Sequence, residues 1–232
     1  MNERIWERLG AGSGLLAAVA LLVGMLLVPM PVGLAEDPLA IATYFAEHRV
    51  AIQIAVLLVS LGAVVALWFV AHLRHVLQRA EGGEEAFAPV VLLAGASLAV
   101  AALFAMVPAA VLAVLTTRTA SLNGPAVLTL YTLHQQAGGA IGLLIALFAA
   151  TAGAAMVRRE ITGPWLGWVG VLVAVLGLAA AISVFFDAGM LMTVLMFAAG
   201  LAFVLWIGAV SVVMVTRPEV DRARAARTVF AH

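Results

Sequence analysis

The chain has 232 residues, of which 65% are hydrophobic and 10% charged, and its 12 basic and 12 acidic side chains cancel. Its mean hydropathy is +1.16. A soluble domain is about 45–50% apolar and about 25% charged, so these figures exclude an ordinary soluble enzyme and a disordered chain. With no cysteine, a disulfide-stapled module and a thiolate metal site are excluded too, and without a strongly basic segment nucleic acid is not an expected partner.

A helix needs about 20 apolar residues to cross the hydrocarbon core of a bilayer. The first qualifying stretch is 11–30. Gly33-Leu34-Ala35 resembles a signal cleavage site, but the preceding segment mixes Glu3 and Glu7 with Arg4 and Arg8, and the apolar run is long for a signal. A retained span is expected. Residues 31–49 form a loop in which Asp37-Pro38 opens a short helical pattern through Ala40, Ile41, Tyr44 and Phe45. The second span, 50–71, continues as a helix along Val70, Leu73, Val76 and Leu77 until Gly82-Gly83 stops it. His72 and His75 share a solvated face of that extension. Glu84 and Glu85 precede the third span, 87–116, where a helix N-terminus favours anions. Pro108 lies within this span. Asn123-Gly124-Pro125 makes the turn into the fourth span, 126–157. At 1.5 Å per residue these two helices reach about 45 Å, so both are expected to project beyond the membrane.

The fifth span is 164–186 and the sixth 190–215. Pro164 suits a helix start, and Trp165 and Trp168 suit an interfacial anchor. The tail, 216–232, opens with a capping box, Thr216-Arg217-Pro218-Glu219. It reads as a solvated cytoplasmic tail, with an interfacial amphipathic helix as the alternative. No span alternates as a strand does, which excludes a barrel. The fold class is therefore all-α, a single-domain polytopic membrane protein made of a bundle of six transmembrane helices.

Arginine placement gives the sidedness. If the N-terminus is inside, ten of the twelve arginines fall on the inner side and only Arg49 and Arg118 on the outer. By the positive-inside rule both termini are expected to be cytoplasmic, in a bacterial cytoplasmic membrane. Trp6, Trp68, Trp165, Trp168 and Trp206 fall near the inner boundary.

Ionisable residues within a bilayer are functional candidates, and almost none lie deep. The polar residues gather at the outer boundary: Tyr44, Glu47, His48, Arg118, Tyr131, His134, Gln135, Gln136 and Asp187. Counted from the inner ends of their spans, His48, His134 and Asp187 fall at nearly one depth. The leading expectation is an outer-face polar pocket. It would bind a lipid or small hydrophobic ligand, or seat a partner subunit of the membrane.

Met25, Met30, Met106, Met190, Met192 and Met196 share the outer half. His48, His134, Met190 and Met192 would suit copper, and the two histidines would suit haem. The alternatives are a metal- or haem-binding redox protein, an intramembrane lipid-modifying enzyme and a small-molecule transporter. A hydrolase reading with Ser121, His134 and Asp187 lacks a nucleophile-elbow motif. Against a cofactor, methionine commonly fills gaps in helical cores, and a boundary histidine commonly bonds a helix end. No cofactor is therefore the first expectation. Gly10 with Gly14, and Gly138 with Gly142, are spaced for close helix packing. That packing is expected within one chain, with a homo-oligomer as the alternative.

Three segments carry a family likeness: Leu67-Trp68-Phe69-Val70-Ala71-His72-Leu73-Arg74, Pro164-Trp165-Leu166-Gly167-Trp168-Val169-Gly170 and Phe203-Val204-Leu205-Trp206. With its length and span count, the chain resembles an uncharacterised bacterial six-helix membrane family catalogued as a domain of unknown function. The resemblance implies the architecture. It implies no activity, cofactor or site residue.

Overall fold

The computed structural model describes residues 3–29, 37–81, 86–118, 124–159, 164–186 and 189–216. Seven α-helices account for nearly all of them: α1 Glu3–Leu27, α2 Pro38–Glu47, α3 Arg49–Glu81, α4 Ala88–Arg118, α5 Gly124–Arg159, α6 Pro164–Phe185 and α7 Met190–Thr216. All but α2 are long and apolar enough to cross a membrane. Among the described residues there is no strand. In hydrocarbon a helix satisfies its own backbone groups, and these segments offer little that would interrupt one. The exception is Pro108, through which α4 continues. The chain is a polytopic membrane protein built on six such helices.

The helices pair in the order α1, α3, α4, α5, α6, α7, and α7 returns to α1. The result is a closed ring in which every neighbouring pair is antiparallel. Six passes put both ends of the helical chain at one end of the ring, here the terminal end. The other is the distal end. Contacts from α5 to α7 and α3 draw α5 towards the centre.

The packing inverts the rule of soluble proteins. Alanines and glycines fill the seams, while Leu16, Leu57, Leu93, Val100, Leu172, Val175 and Leu205 are exposed. Large apolar side chains cost nothing when they face lipid, so helix association depends on backbones that approach closely. The α5–α6 seam is the tightest. A Cβ on Gly142 would lie 2.9 Å from the Gly177 carbonyl oxygen, and a Cβ on Gly153 would lie 2.7 Å from that of Gly167. On the α1–α3 seam, Gly10 meets the His72 ring and Gly14 the Phe69 ring. The paired glycines therefore serve contacts within the chain. His72 lies between two helices, where the sequence suggested a solvated face. The α7–α1 closure carries a buried hydrogen bond from the Ser211 hydroxyl to the Ala11 carbonyl.

The main core lies in the terminal half. Trp206 is its largest member, 2% exposed, and its Nε1–H donates to the Leu166 carbonyl at 2.9 Å. Phe148 and Phe203 each place a ring 6.3 Å from it. The shared side of the tryptophans does not mean a shared environment. Trp68, Trp165 and Trp168 are exposed, whereas Trp206 belongs to the interior.

At the α3–α4 corner Glu81 is buried. Its Oε1 accepts the Phe87 N–H at 2.9 Å, at the start of α4, where the helix dipole favours an anion. The Arg158 guanidinium lies over the Phe87 ring, 5.5 Å from its centroid.

Candidate functional site at the distal end

α2 builds the distal end. Asp37 caps it through a 2.9 Å hydrogen bond from the Leu39 N–H, and Pro38 occupies the first turn, where its missing N–H costs nothing. Ile41 and Phe45 lie on one face at i and i+4 and are buried. They dock on Ala109, Leu112 and Ala113 of α4 and Val127 of α5. α2 therefore lies against the distal ends of α4 and α5.

His48 turns the corner from α2 into α3. Its backbone N–H and its Nδ1–H both donate to the Tyr44 carbonyl, at 3.1 and 3.0 Å, and its own carbonyl accepts the Ile52 N–H at 2.9 Å. Because a carbonyl can only accept, Nδ1 carries a proton, and the lone pair of a neutral ring lies on Nε2. The His48 and Tyr44 rings stack at 4.7 Å. The Tyr44 hydroxyl donates to the Pro29 carbonyl, just past α1, at 2.5 Å. Tyr44 and Tyr131 pack against the same apolar cluster, and Gln135 Nε2–H donates to the Tyr131 hydroxyl oxygen at 3.3 Å. That leaves the Tyr131 O–H proton available as a donor. Arg49 follows His48, and its Nε–H is enclosed without a hydrogen-bond partner among the described residues.

Tyr44, His48, Tyr131 and Gln135 therefore belong to one distal polar corner, with Arg49 beside it. Arg49 is only faintly marked in the sequence. Its only signal was that it is one of two arginines on the sparsely charged side. Glu47 is exposed. Asp187 and the side chain of Arg118, at the end of α4, lie outside the described residues.

His134 is placed differently. α5 starts at Gly124, so His134 comes ten residues, about 15 Å, into the helix. Its Nδ1–H donates to the Ala105 carbonyl of α4 at 2.9 Å. Pro108 cannot donate to the Phe104 carbonyl, and in this weakened turn Ala105 takes the histidine as a donor. His48 and His134 thus each hold a different backbone carbonyl. Met190 is 66% exposed and Met192 only 8%, so they face different surroundings. Among the described residues, no three His, Asp or Glu side chains form a group able to hold a metal ion.

Burial, and secondarily the nearby Tyr131, pushes the Tyr44 phenol from the ordinary 10.0 up to about 12. The folded state then holds this proton more tightly than the unfolded chain does. The resulting stability is fully present below pH 10 and is lost as pH rises towards 12. In a near-ultraviolet phenolate titration, Tyr44→Phe should remove a late step. An unchanged late step in that variant would contradict the raised Tyr44 phenol.

No family model, curated protein or solved structure matches the chain.

Proposed function

We propose that the protein binds an amphiphile with an acidic headgroup at the distal corner, with the headgroup against Arg49 and Tyr131 and the tail against the apolar bundle. The enclosed, unpaired Arg49 Nε–H carries this reading. Leaving a buried donor without a partner costs about 1–3 kcal/mol, and an anionic acceptor would remove that penalty. The free Tyr131 proton supplies a second donor, and the His48 Nε2 lone pair and the Gln135 carbonyl oxygen supply acceptors for a hydroxylated headgroup. On the sidedness that the arginines suggest, this corner faces outward from a bacterial cytoplasmic membrane.

The test is retention of lipid by the purified protein. In nanodiscs made from equal parts phosphatidylglycerol and phosphatidylcholine, native mass spectrometry after release should find phosphatidylglycerol enriched on the parent. Arg49→Gln should lose that enrichment, and Tyr131→Phe should weaken it. Equal retention of both lipids by the parent would refute the reading, as would enrichment that survives Arg49→Gln.

A further inference from the structure

The distal half of the ring contains a second group of donor atoms, away from Arg49. A Cβ on Gly138 of α5 would lie 1.7 Å from Cε of Met196 and 3.1 Å from its Sδ. The thioether of α7 thus occupies the space that Gly138 leaves, which fixes the register of α7 against α5. Both helices run from the distal to the terminal end. One helical turn towards the distal end therefore sets Met192 level with His134. Met192 is buried. One turn the other way, Gly200 of α7 receives Met25 of α1, whose Cε and Sδ lie 3.0 and 3.6 Å from the Cβ position.

The His134 imidazole has one ring nitrogen held by a hydrogen bond and the other without one among the described residues. Its Nδ1–H is held by the Ala105 carbonyl, which leaves the lone pair on Nε2, and a backbone carbonyl orienting a histidine in this way is the usual outer-shell partner of a metal-bound ring. The ladder contains thioethers and one neutral imidazole and no carboxylate. Soft donors of this kind select Cu(I) over the hard cations. A neutral ligand set within a low-dielectric bundle also favours a monovalent ion over a divalent one. We propose that His134, Met192 and Met196 bind Cu(I), with Met25 the next thioether towards the terminal end. This site does not rest on the lipid reading.

Protein purified anaerobically in detergent is titrated with Cu(I) held as its coloured bicinchoninate complex. The parent should withdraw one ion per chain. The Met192→Leu/Met196→Leu double variant conserves side-chain volume and should withdraw none. Arg49→Gln should withdraw as much as the parent, which keeps failure of this proposal separate from failure of the lipid reading. A parent that leaves the colour intact overturns the site, and so does a double variant that withdraws as much as the parent. On the unmodified protein, added Ag(I) should move the methyl resonances of Met192 and Met196 and leave that of exposed Met190 in place. Movement of Met190 instead, or of none of the three, likewise overturns it.

Discussion

Leucine at Gly153 or Gly142 should unfold the protein at markedly lower temperature than leucine at Gly12. At the first two positions even a Cβ meets backbone: the Gly167 oxygen at 2.7 Å from Gly153, and the Gly177 oxygen at 2.9 Å and Ala181 nitrogen at 3.0 Å from Gly142. Backbone cannot turn aside as a flexible side chain can, so α5 and α6 must separate along a seam made of such contacts. Overpacking costs about 1–3 kcal/mol where side chains can adjust, and this seam should reach or exceed the top of that range. Gly12 has nothing within 4 Å of its Cβ position, which makes it a control of the same chemistry. Thermal unfolding in detergent, followed by loss of the monodisperse peak in size exclusion, would show the difference. Equal melting of G153L and G12L would mean that the two backbones do not approach as described.

Trp206→Ala should be the most damaging single truncation in the core. The indole is enclosed by Phe148 and Phe203 and reaches Gly170 of α6, whose Cβ would lie 2.7 Å from Trp206 Cζ2. Removing a buried tryptophan costs about 3–5 kcal/mol. Trp206→Phe keeps most of the volume but loses the Nε1–H donated to Leu166, a loss of about 1 kcal/mol. The order parent, Phe, Ala in resistance to denaturant tests both contributions. If Phe proved as damaging as Ala, the hydrogen bond would outweigh the packing.

Much of the architecture is legible in the sequence. The number of spanning helices, the extension of α3 to Glu81 and the opening of α2 at Asp37-Pro38 follow from apolar run length, glycine stops and capping chemistry, whereas α1, expected over 11–30, runs from Glu3 to Leu27. Depth was less legible. Counting residues from the inner ends of the spans put His48 and His134 level. The structure instead sets His48 in the α2–α3 corner and His134 one turn further along α5 from Tyr131. Helices apolar on every side carry little signal about which face meets which neighbour, and the register between them depends on glycine contacts such as Gly138 with Met196. Trp206 shows the same effect. Its indole resembles those of Trp165 and Trp168, and only the place of α7 against α6 makes it interior. Arg49 stood out by charge alone, because its enclosure is a matter of tertiary packing.

The bond from Ser211 to Ala11 joins residues 200 positions apart in the chain. At about 5–20 residues per second, the first helix waits on the order of 10–40 s for the last to emerge. During that time α1 has α3 as a neighbour and an open flank of small residues on its other side. The ring therefore cannot close before the final span is made. A nascent chain truncated before α7 should present that unsealed flank to the insertion machinery or to lipid, whatever stability its earlier helix pairs already possess.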